Sequence, residues 1–235
     1  AASDVYKRQL KGYNFRLVTA DVFGKEKIDL MRSLGANLEI IKSSDGKINK
    51  ELITKMIKKA DQISKEPDTF FTNQLNNTDV IEGFVPLGEE ILDQLNGNIH
   101  AVCDTVGTAG TLMGIAKALK KAKSNCKVVA VEPSSSPILS KGIKGSHNVE
   151  GVGLGFVPNI YDDKLVDNVI SIDESAARKI CKDLAKKEGI FCGTSSGMNV
   201  AAAIQISKEL GPKSRVVTVA CDTGLKYLSE GLFDD

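Results

Sequence analysis

The sequence predicts an α/β fold in which parallel sheets are flanked by helices. Short runs rich in β-branched residues alternate with longer segments of helical period, which is typical of parallel strands joined by helical crossovers. Three later runs, HAVCDTV, KVVAVEP and RVVTVACD, are apolar almost throughout, as expected of strands that are covered on both faces. At 235 residues, the chain is long enough to bury a sizeable core.

The first half of the chain contains strand–helix pairs in sequence order. They are FRLVTA with VFGKEKIDLMRSLG, ANLEIIKS with KINKELITKMIKKADQISK, and FFTNQ with NTDVIEGFVPLGEEILDQL. In the second helix, apolar residues recur at three- and four-residue steps, namely Ile48, Leu52, Ile53, Met56, Ile57, Ala60 and Ile63. We expect this face to pack on the core. A domain boundary is predicted at Pro67, between residues 1–68 and residues 69–235.

In the second half, the apolar runs HAVCDTV, KVVAVEP and RVVTVACD are expected to be central strands. Between them lie the predicted helices LMGIAKALKKAK, ESAARKICKDLAKKEG and MNVAAAIQISKELG, and a short apolar strand, GIFCG, precedes the last of these. Residues 133–160 carry Ser, Pro and Gly with little periodicity and predict a long loop.

Composition argues against several classes of protein. With 31 Lys+Arg and 30 Asp+Glu, the net charge is +1, which does not suit a nucleic-acid partner. No apolar run approaches a membrane span and no leader pattern is present, so we expect a cytoplasmic protein. The cysteines are odd in number and lack CxxC spacing, which argues against a disulfide framework and a metal site. They are Cys103, Cys126, Cys181, Cys192 and Cys221.

The stretch CDTVGTAGTLMG, residues 103–114, contains a candidate phosphate-binding turn. Its central residues follow a predicted buried strand and begin a helix, where free backbone N–H groups and the helix dipole favour an anion. These residues are Gly107, Thr108, Ala109, Gly110 and Thr111. An ordinary strand–helix turn can also use Gly and Thr, so the loop alone does not decide between the two interpretations.

Two familiar nucleotide-binding loops fit this stretch less well. A P-loop needs Gly-Lys-Ser/Thr before the helix, and no lysine lies between Gly107 and Gly114. A dinucleotide fingerprint needs glycines at 107, 109 and 112, where the chain has Gly, Ala and Leu. Glu132 does lie near the spacing expected of a ribose-binding acid, so dinucleotide binding stays as a weak alternative.

Two further stretches could approach a small ligand. In GTSSGMNVAAA, residues 193–203, Ser195 or Ser196 could serve as a helix N-cap or contact a ligand. In GVGLGFVP, residues 151–158, glycines at alternate positions allow the backbone to approach a ligand closely, although turn formation also explains them.

Taken together and in order, these stretches resemble the cysteine synthase (O-acetylserine sulfhydrylase) family of pyridoxal 5′-phosphate (PLP) enzymes. The resemblance runs from about Gly12 to Phe233 and includes GYNFRLV, RSLGANLEII, FTNQLNN, VGTAGTLMG, VVAVEPSSSP, GVGLGFVPN, GTSSGMNVAAA and TGLKYLS. It implies the tryptophan synthase β-like fold, fold type II. Residues 1–68 would then be a remnant of the small domain, and residues 69–235 the large PLP-binding domain.

The resemblance also implies a set of site residues. The PLP phosphate would bind Gly107, Thr108, Ala109, Gly110 and Thr111, although the family usually has glycine at the position of Ala109. Ser195 matches the serine that hydrogen-bonds the pyridine nitrogen, and Ser196 is an alternative shifted by one residue. Gln74 and Gly151 match residues on the substrate side.

The family reaction removes a leaving group from the β-carbon of an activated serine and adds sulfide to give L-cysteine. O-acetylserine is the default substrate, while O-phosphoserine and homocysteine chemistry stay open. The resemblance further suggests a homodimer.

The family's Schiff-base lysine has no match in this sequence. In the family it lies in a Ser-x-Lys-x-Arg-like segment well before the GYNFRLV stretch and is followed by a Thr-Ser-Gly-Asn loop. Lys7 lies too close to that stretch to take the role, and residues 1–10 match nothing in the family. We therefore expect a chain that lacks about the first third of the family pattern and is inactive alone. The alternative is a non-catalytic PLP-binding or regulatory homologue.

Overall fold

The computed structural model describes residues 7, 8 and 10–234, so most of the unmatched residues 1–10 lie outside it. Its strands are β1 (Arg16–Ala20), β2 (Asn37–Ile41), β3 (Ala101–Thr105), β4 (Lys127–Pro133), β5 (Asn168–Ile172) and β6 (Val216–Thr218). Its α-helices are α1 (Lys25–Ser33), α2 (Lys50–Ile63), α3 (Asp79–Gln94), α4 (Gly110–Lys121), α5 (Ile138–Lys141), α6 (Glu174–Asp183) and α7 (Thr194–Leu210). Shorter helical segments are Asp163–Leu165, Leu184–Glu188 and Gly224–Glu230. No helix in this part of the chain is both long and apolar enough to cross a membrane.

A small parallel sheet is formed by β1 and β2, in register from Arg16 with Asn37 to Ala20 with Ile41. Helix α2 contacts this sheet and buries Leu52, Ile53 and Ile63, members of the predicted apolar face. The side chain of Asn49 caps the helix, because its Oδ1 accepts a hydrogen bond from the backbone N–H of Leu52 at 3.0 Å.

A larger parallel sheet has the strand order β5-β4-β3-β6. The residues of β3 are all buried, and helices cover both faces of the sheet. On one face Val102 and Val128 pack with Leu112 of α4, and on the other Val129 packs with Met198 of α7. The continuous apolar runs of β3 and β4 therefore occupy the central positions that the sequence predicts.

The predicted strand FFTNQ is wrong. Residues 69–74 form neither strand nor helix, and the side chain of Phe70 is 84% exposed. Asp68 and Asn73, which lie on either side of Phe70, have φ values of 56° and 45°. Left-handed residues interrupt an extended backbone, so the β-forming aromatic residues here cannot continue as a strand.

The sequence also misplaces the last strand. The run RVVTVACD forms only the three-residue strand β6, which pairs with β3 at the edge of the described sheet rather than in its centre. Beyond β6, the carbonyl of Val219 and the N–H of Cys221 bond to side chains of α7. These backbone groups do not pair with β3, because they form hydrogen bonds with side chains of α7 instead.

Two shorter elements differ as well. The predicted strand GIFCG is reduced to an isolated antiparallel bridge between Cys192 and Thr223, after Gly189 in a left-handed conformation. Strand β5, with the sequence NVISI, was not predicted, because the polar residues Asn168 and Ser171 interrupt its apolar pattern. It pairs with β4 and forms the edge of the described sheet opposite β6.

Candidate functional site

The loop between β3 and α4 lies at the carboxyl edge of the large sheet. Strand β3 ends at Thr105 and α4 begins at Gly110. Within the described residues, the backbone N–H groups of Gly107, Thr108 and Ala109 have no hydrogen-bond partner, while that of Gly110 donates to Thr108 Oγ1 at 3.4 Å. Unpaired N–H groups at the positive end of a 12-residue helix form a site for an anion.

Ala109 is the N-cap of α4 and has a left-handed backbone, with φ of 75° and ψ of −5°. A residue with a Cβ pays about 1–2 kcal/mol in this conformation. The carbonyl of Ala109 accepts the first helical hydrogen bond, from Met113 N at 2.9 Å, and the residue is buried. The surrounding structure therefore holds a strained residue at the tip of the loop.

Glycines join this loop to the segment that begins at residue 151. A Cβ placed on Gly107 would lie 2.1 Å from the carbonyl oxygen of Gly151, which no side chain tolerates. The N–H of Gly153 donates to the carbonyl of Val106 at 3.1 Å, so the two backbones run side by side. The structure thus brings Gly107 and Gly151 together, and Gly151 itself has a φ of 81°.

His147 holds the same segment in shape. Its Nδ1 accepts from the backbone N–H of Val149 at 3.2 Å, which places the ring proton on Nε2. Nε2 then donates to the carbonyl of Gly153 at 2.8 Å. Both ring nitrogens of this buried histidine therefore form hydrogen bonds to the backbone of its own loop.

The N-terminus of α7 carries the serine pair. The helix begins at Thr194 after an N-cap glycine, so neither serine serves as the N-cap. Ser196 Oγ is fully buried and accepts a hydrogen bond from Cys221 N at 2.8 Å. Ser195 is 6% exposed. Thr194 Oγ1 is buried without a hydrogen-bond partner in the described part of the chain.

Asn199 connects α7 to the end of β3. Its Oδ1 accepts from the backbone N–H of Thr105 at 2.7 Å, and its Nδ2 donates to Asp104 Oδ1 at 2.8 Å and to the carbonyl of Val219 at 2.9 Å. Burial raises the pKa of the Asp104 carboxyl to about 6, although hydrogen bonds from Asn199 and from the backbone act in the opposite direction.

Gln74 lies in an exposed turn. Among the described residues, no hydrogen bond joins it to Gly107 or Ser195. A hydrogen bond nonetheless joins its turn to the segment that begins at residue 151, because Asn76 Oδ1 accepts from Asn159 Nδ2 at 2.6 Å. Lys7 is exposed, and no described contact joins it to the loops at the carboxyl edge.

Glu132 has a structural role. Its Oε2 accepts from Leu139 N at 2.7 Å, and its Oε1 accepts from Ser140 N and Ser171 Oγ, each at 3.2 Å, and from Ser140 Oγ. The carboxylate is 1% exposed, so it has no accessible oxygen for a ribose hydroxyl. Glu132 is therefore not available to bind a ribose, and the dinucleotide alternative loses the residue on which it depended.

Sequence reasoning missed Thr194, Asp104 and Asn199. A signal existed for Asp104, which is a charged residue inside an otherwise apolar strand and so needs a partner. Asn199 follows Ser195 by four residues and therefore lies on the same face of α7, one turn further along. The pairing of Asp104 with Asn199 spans 95 residues of sequence and cannot be found from local pattern.

Comparison with known proteins identifies relatives along nearly all of the chain. The family model "Pyridoxal-phosphate dependent enzyme" matches residues 8–222. A cysteine synthase of Staphylococcus aureus (strain Mu50 / ATCC 700699) is 38% identical over 231 residues, which cover 96% of this chain and 72% of the relative.

Solved structures give the same result. Cysteine synthase (OASS) from Entamoeba histolytica has a TM-score of 0.89 and 30% identity, over 100% of this chain and 68% of the other. An O-ureido-L-serine-bound variant of O-ureido-L-serine synthase has a TM-score of 0.90 and 30% identity, over 99% of this chain and 71% of the other. The fold of these structures is fold type II, as the sequence predicts.

Proposed function

The chain belongs to the family of pyridoxal-phosphate dependent enzymes, and from that premise we propose that it carries the cofactor site of an enzyme that converts an activated serine and sulfide to L-cysteine. The cofactor of this family is PLP. Cysteine and O-ureido-L-serine, named for two of the relatives, are both alanines substituted at the β-carbon. That shared skeleton supports replacement at the β-carbon as the reaction class, with O-acetylserine as the substrate.

The observation that carries the proposal is the set of unpaired N–H groups between β3 and α4. We assign the PLP phosphate to residues 107–111, where Gly107, Thr108 and Ala109 present backbone donors and α4 adds its dipole. The hydroxyls of Thr108 and Thr111 lie in the same loop and add two donors. The contact between Gly107 and Gly151 closes the side of this loop.

We assign the pyridine nitrogen to Ser195 rather than Ser196. The hydroxyl of Ser196 is fully buried and accepts the Cys221 N–H, so it already serves to hold α7 against the segment after β6. Ser195 keeps a small exposed surface at the start of the helix. Beside it, Thr194 Oγ1 is buried and has no hydrogen-bond partner among the described residues, so its hydroxyl is left to bond a polar ligand.

A serine at this position selects the type of chemistry. When bound, PLP withdraws electrons from the α-carbon of an amino acid, which permits loss of a β-substituent and addition of a nucleophile. The neutral hydroxyl of Ser195 accepts or donates one hydrogen bond and does not hold the ring nitrogen protonated, as a carboxylate would. This environment favours β-replacement over transamination.

Gln74 and Gly151 are proposed to contact the amino-acid substrate. The contact of Gly151 with Gly107 supports this role, because a bare backbone would then lie beside the proposed phosphate site. Gln74 is exposed in a turn that Asn76 and Asn159 tether to the same segment. We propose that its amide donates to the carboxylate of the substrate.

The proposal is tested by assaying cysteine formation from O-acetylserine and sulfide with the PLP-saturated chain. Because the sequence has no match to the family's lysine, the assay is run with and without a small primary amine, methylamine, to supply the missing amine. We expect no cysteine without the amine and slow, PLP-dependent cysteine formation with it. Serine, which has a poor leaving group, is the control substrate and should give none. PLP binding without cysteine formation in either condition would contradict the proposed reaction.

A further inference from the structure

We infer that Asn199 is a positioning residue of the PLP site, and this inference rests on the proposed function. Its side-chain amide fixes the distance between Ser195, at the proposed ring end, and the loop of residues 107–111, at the proposed phosphate end.

The amide of Asn199 is fully engaged and cannot be reversed. Its Oδ1 faces the N–H of Thr105 at 2.7 Å, and both Nδ2 hydrogens have acceptors, on Asp104 and on the carbonyl of Val219. A flipped amide would place NH₂ against the Thr105 donor and its oxygen against the Asp104 carboxylate. The residue is 0% exposed, so water cannot replace these bonds.

These bonds connect the two ends of the proposed cofactor site by a short path. Thr105 is the last residue of β3 and lies two positions before Gly107, which begins the phosphate loop. Ser195 lies four positions before Asn199, one turn earlier on the same face of α7. The bond between Asn199 and Thr105 therefore sets how far the start of α7 is from the phosphate loop.

This distance matters for PLP, because its phosphate and its ring nitrogen lie several bonds apart in one molecule and are assigned to different residues, 107–111 and Ser195. A site that holds both ends must match that length, and its supporting residues must hold the match closely. Inorganic phosphate makes no such demand, because it occupies the loop end alone. Loss of Asn199 should thus affect PLP and phosphate differently.

The experiment measures the affinities of the 235-residue chain for PLP and for inorganic phosphate by isothermal titration calorimetry. In Asn199→Ala, we expect PLP affinity to fall by roughly ten-fold, the effect of one lost hydrogen bond at the ring, with phosphate affinity unchanged. A purely stabilising role for Asn199 would leave the ratio of the two affinities at its wild-type value.

Two further variants keep the test valid if Asn199→Ala folds poorly. Asn199→Asp keeps an acceptor for Thr105 but sets two buried carboxylates against each other, so it should also lose PLP affinity. The exchange Asp104→Asn with Asn199→Asp restores one amide and one carboxylate but leaves the carbonyl of Val219 without its donor, so it should recover the ratio in part. Asp167→Ala is the matched control, because Asp167 Oδ2 accepts from Val128 N at 2.7 Å at the opposite edge of the sheet.

The outcomes separate this inference from the proposed function. If the wild-type chain binds neither PLP nor phosphate, the proposed function fails and the inference fails with it. If the wild-type chain binds both and every Asn199 variant keeps the wild-type ratio, only the inference fails. A lowered ratio in Asn199→Ala and Asn199→Asp, partly recovered in the exchanged pair and absent in Asp167→Ala, supports it.

Discussion

The backbone of Gly107 lies directly against the carbonyl oxygen of Gly151, so that a Cβ on Gly107 would be 2.1 Å from that oxygen. This contact joins the loop that leaves β3 to the segment that His147 holds in shape. Since one neighbour is backbone, a side chain at residue 107 can only be accommodated if the two loops separate.

Gly107→Ala should therefore destabilise the protein by about 1–3 kcal/mol and abolish phosphate binding. Urea unfolding gives the free energy and calorimetry gives the affinity. Gly83→Ala is the control, because a Cβ on Gly83, inside α3, meets nothing within 4 Å. That change should stabilise by about 0.5–1 kcal/mol. Equal effects of the two substitutions would contradict the close contact.

Ala109→Gly should stabilise the protein by about 0.5–1 kcal/mol. Removing the Cβ relieves the left-handed strain at φ of 75°, and this gain exceeds the greater entropy of glycine in the unfolded chain. Phosphate affinity should be retained, because the N–H of residue 109 keeps its direction. Destabilisation of more than about 1 kcal/mol in urea unfolding would show that Ala109 is not strained.

Asp104→Asn should change how stability depends on pH. The folded-state pKa of Asp104 is raised to about 6 from 3.8, so the native state binds more protons than the unfolded state between these values. Its contribution to stability is therefore lost as pH rises from about 4 to 6, by at most roughly 3 kcal/mol. An asparagine keeps an oxygen for Asn199 and has no charge to bury.

The measurement compares urea unfolding of the wild-type chain and Asp104→Asn from pH 4 to pH 8. The variant should be relatively more stable above pH 6, and the difference should shrink towards pH 4. Parallel pH profiles for the two proteins would contradict the raised pKa.

Thr194→Val should raise the melting temperature measured without PLP. Thr194 Oγ1 is buried and unpaired among the described residues, so replacing the hydroxyl with a methyl group removes a desolvation cost of about 1 kcal/mol. For a chain of this size, that corresponds to roughly 2–4 °C. Thr223→Val is the control: Thr223 Oγ1 accepts from Leu225 N at 3.3 Å as a helix cap, and its loss should lower the melting temperature.

The sequence predicts the central part of the fold because physical constraints there are local. Strands β3 and β4 are predicted to be buried because their runs are apolar almost throughout, and the apolar face of α2 is predicted to pack on the core. FFTNQ was wrong because strand propensity says nothing about the left-handed backbone of Asp68 and Asn73. The left-handed conformation of these two residues depends on the path of the chain through the loop. The strand propensity of the aromatic residues does not indicate that path.

The candidate site was predictable only in part for a similar reason. The phosphate loop follows from the carboxyl end of a buried strand next to a helix N-terminus, which sequence order specifies. The pairing of Asn199 with Asp104 depends instead on how α7 packs against β3, far apart in sequence. The choice between Ser195 and Ser196 likewise required the position of the Cys221 N–H.

One measurement tests the phosphate site at residues 107–111 directly: calorimetry of the 235-residue chain with PLP and, separately, with pyridoxal, which lacks the phosphate. We predict one PLP per chain, displacement of PLP by inorganic phosphate, and an affinity for pyridoxal at least roughly a hundred-fold weaker, as charge-assisted hydrogen bonds to the phosphate are lost. Equal affinities for PLP and pyridoxal, or PLP binding that inorganic phosphate does not displace, would show that residues 107–111 do not hold the phosphate.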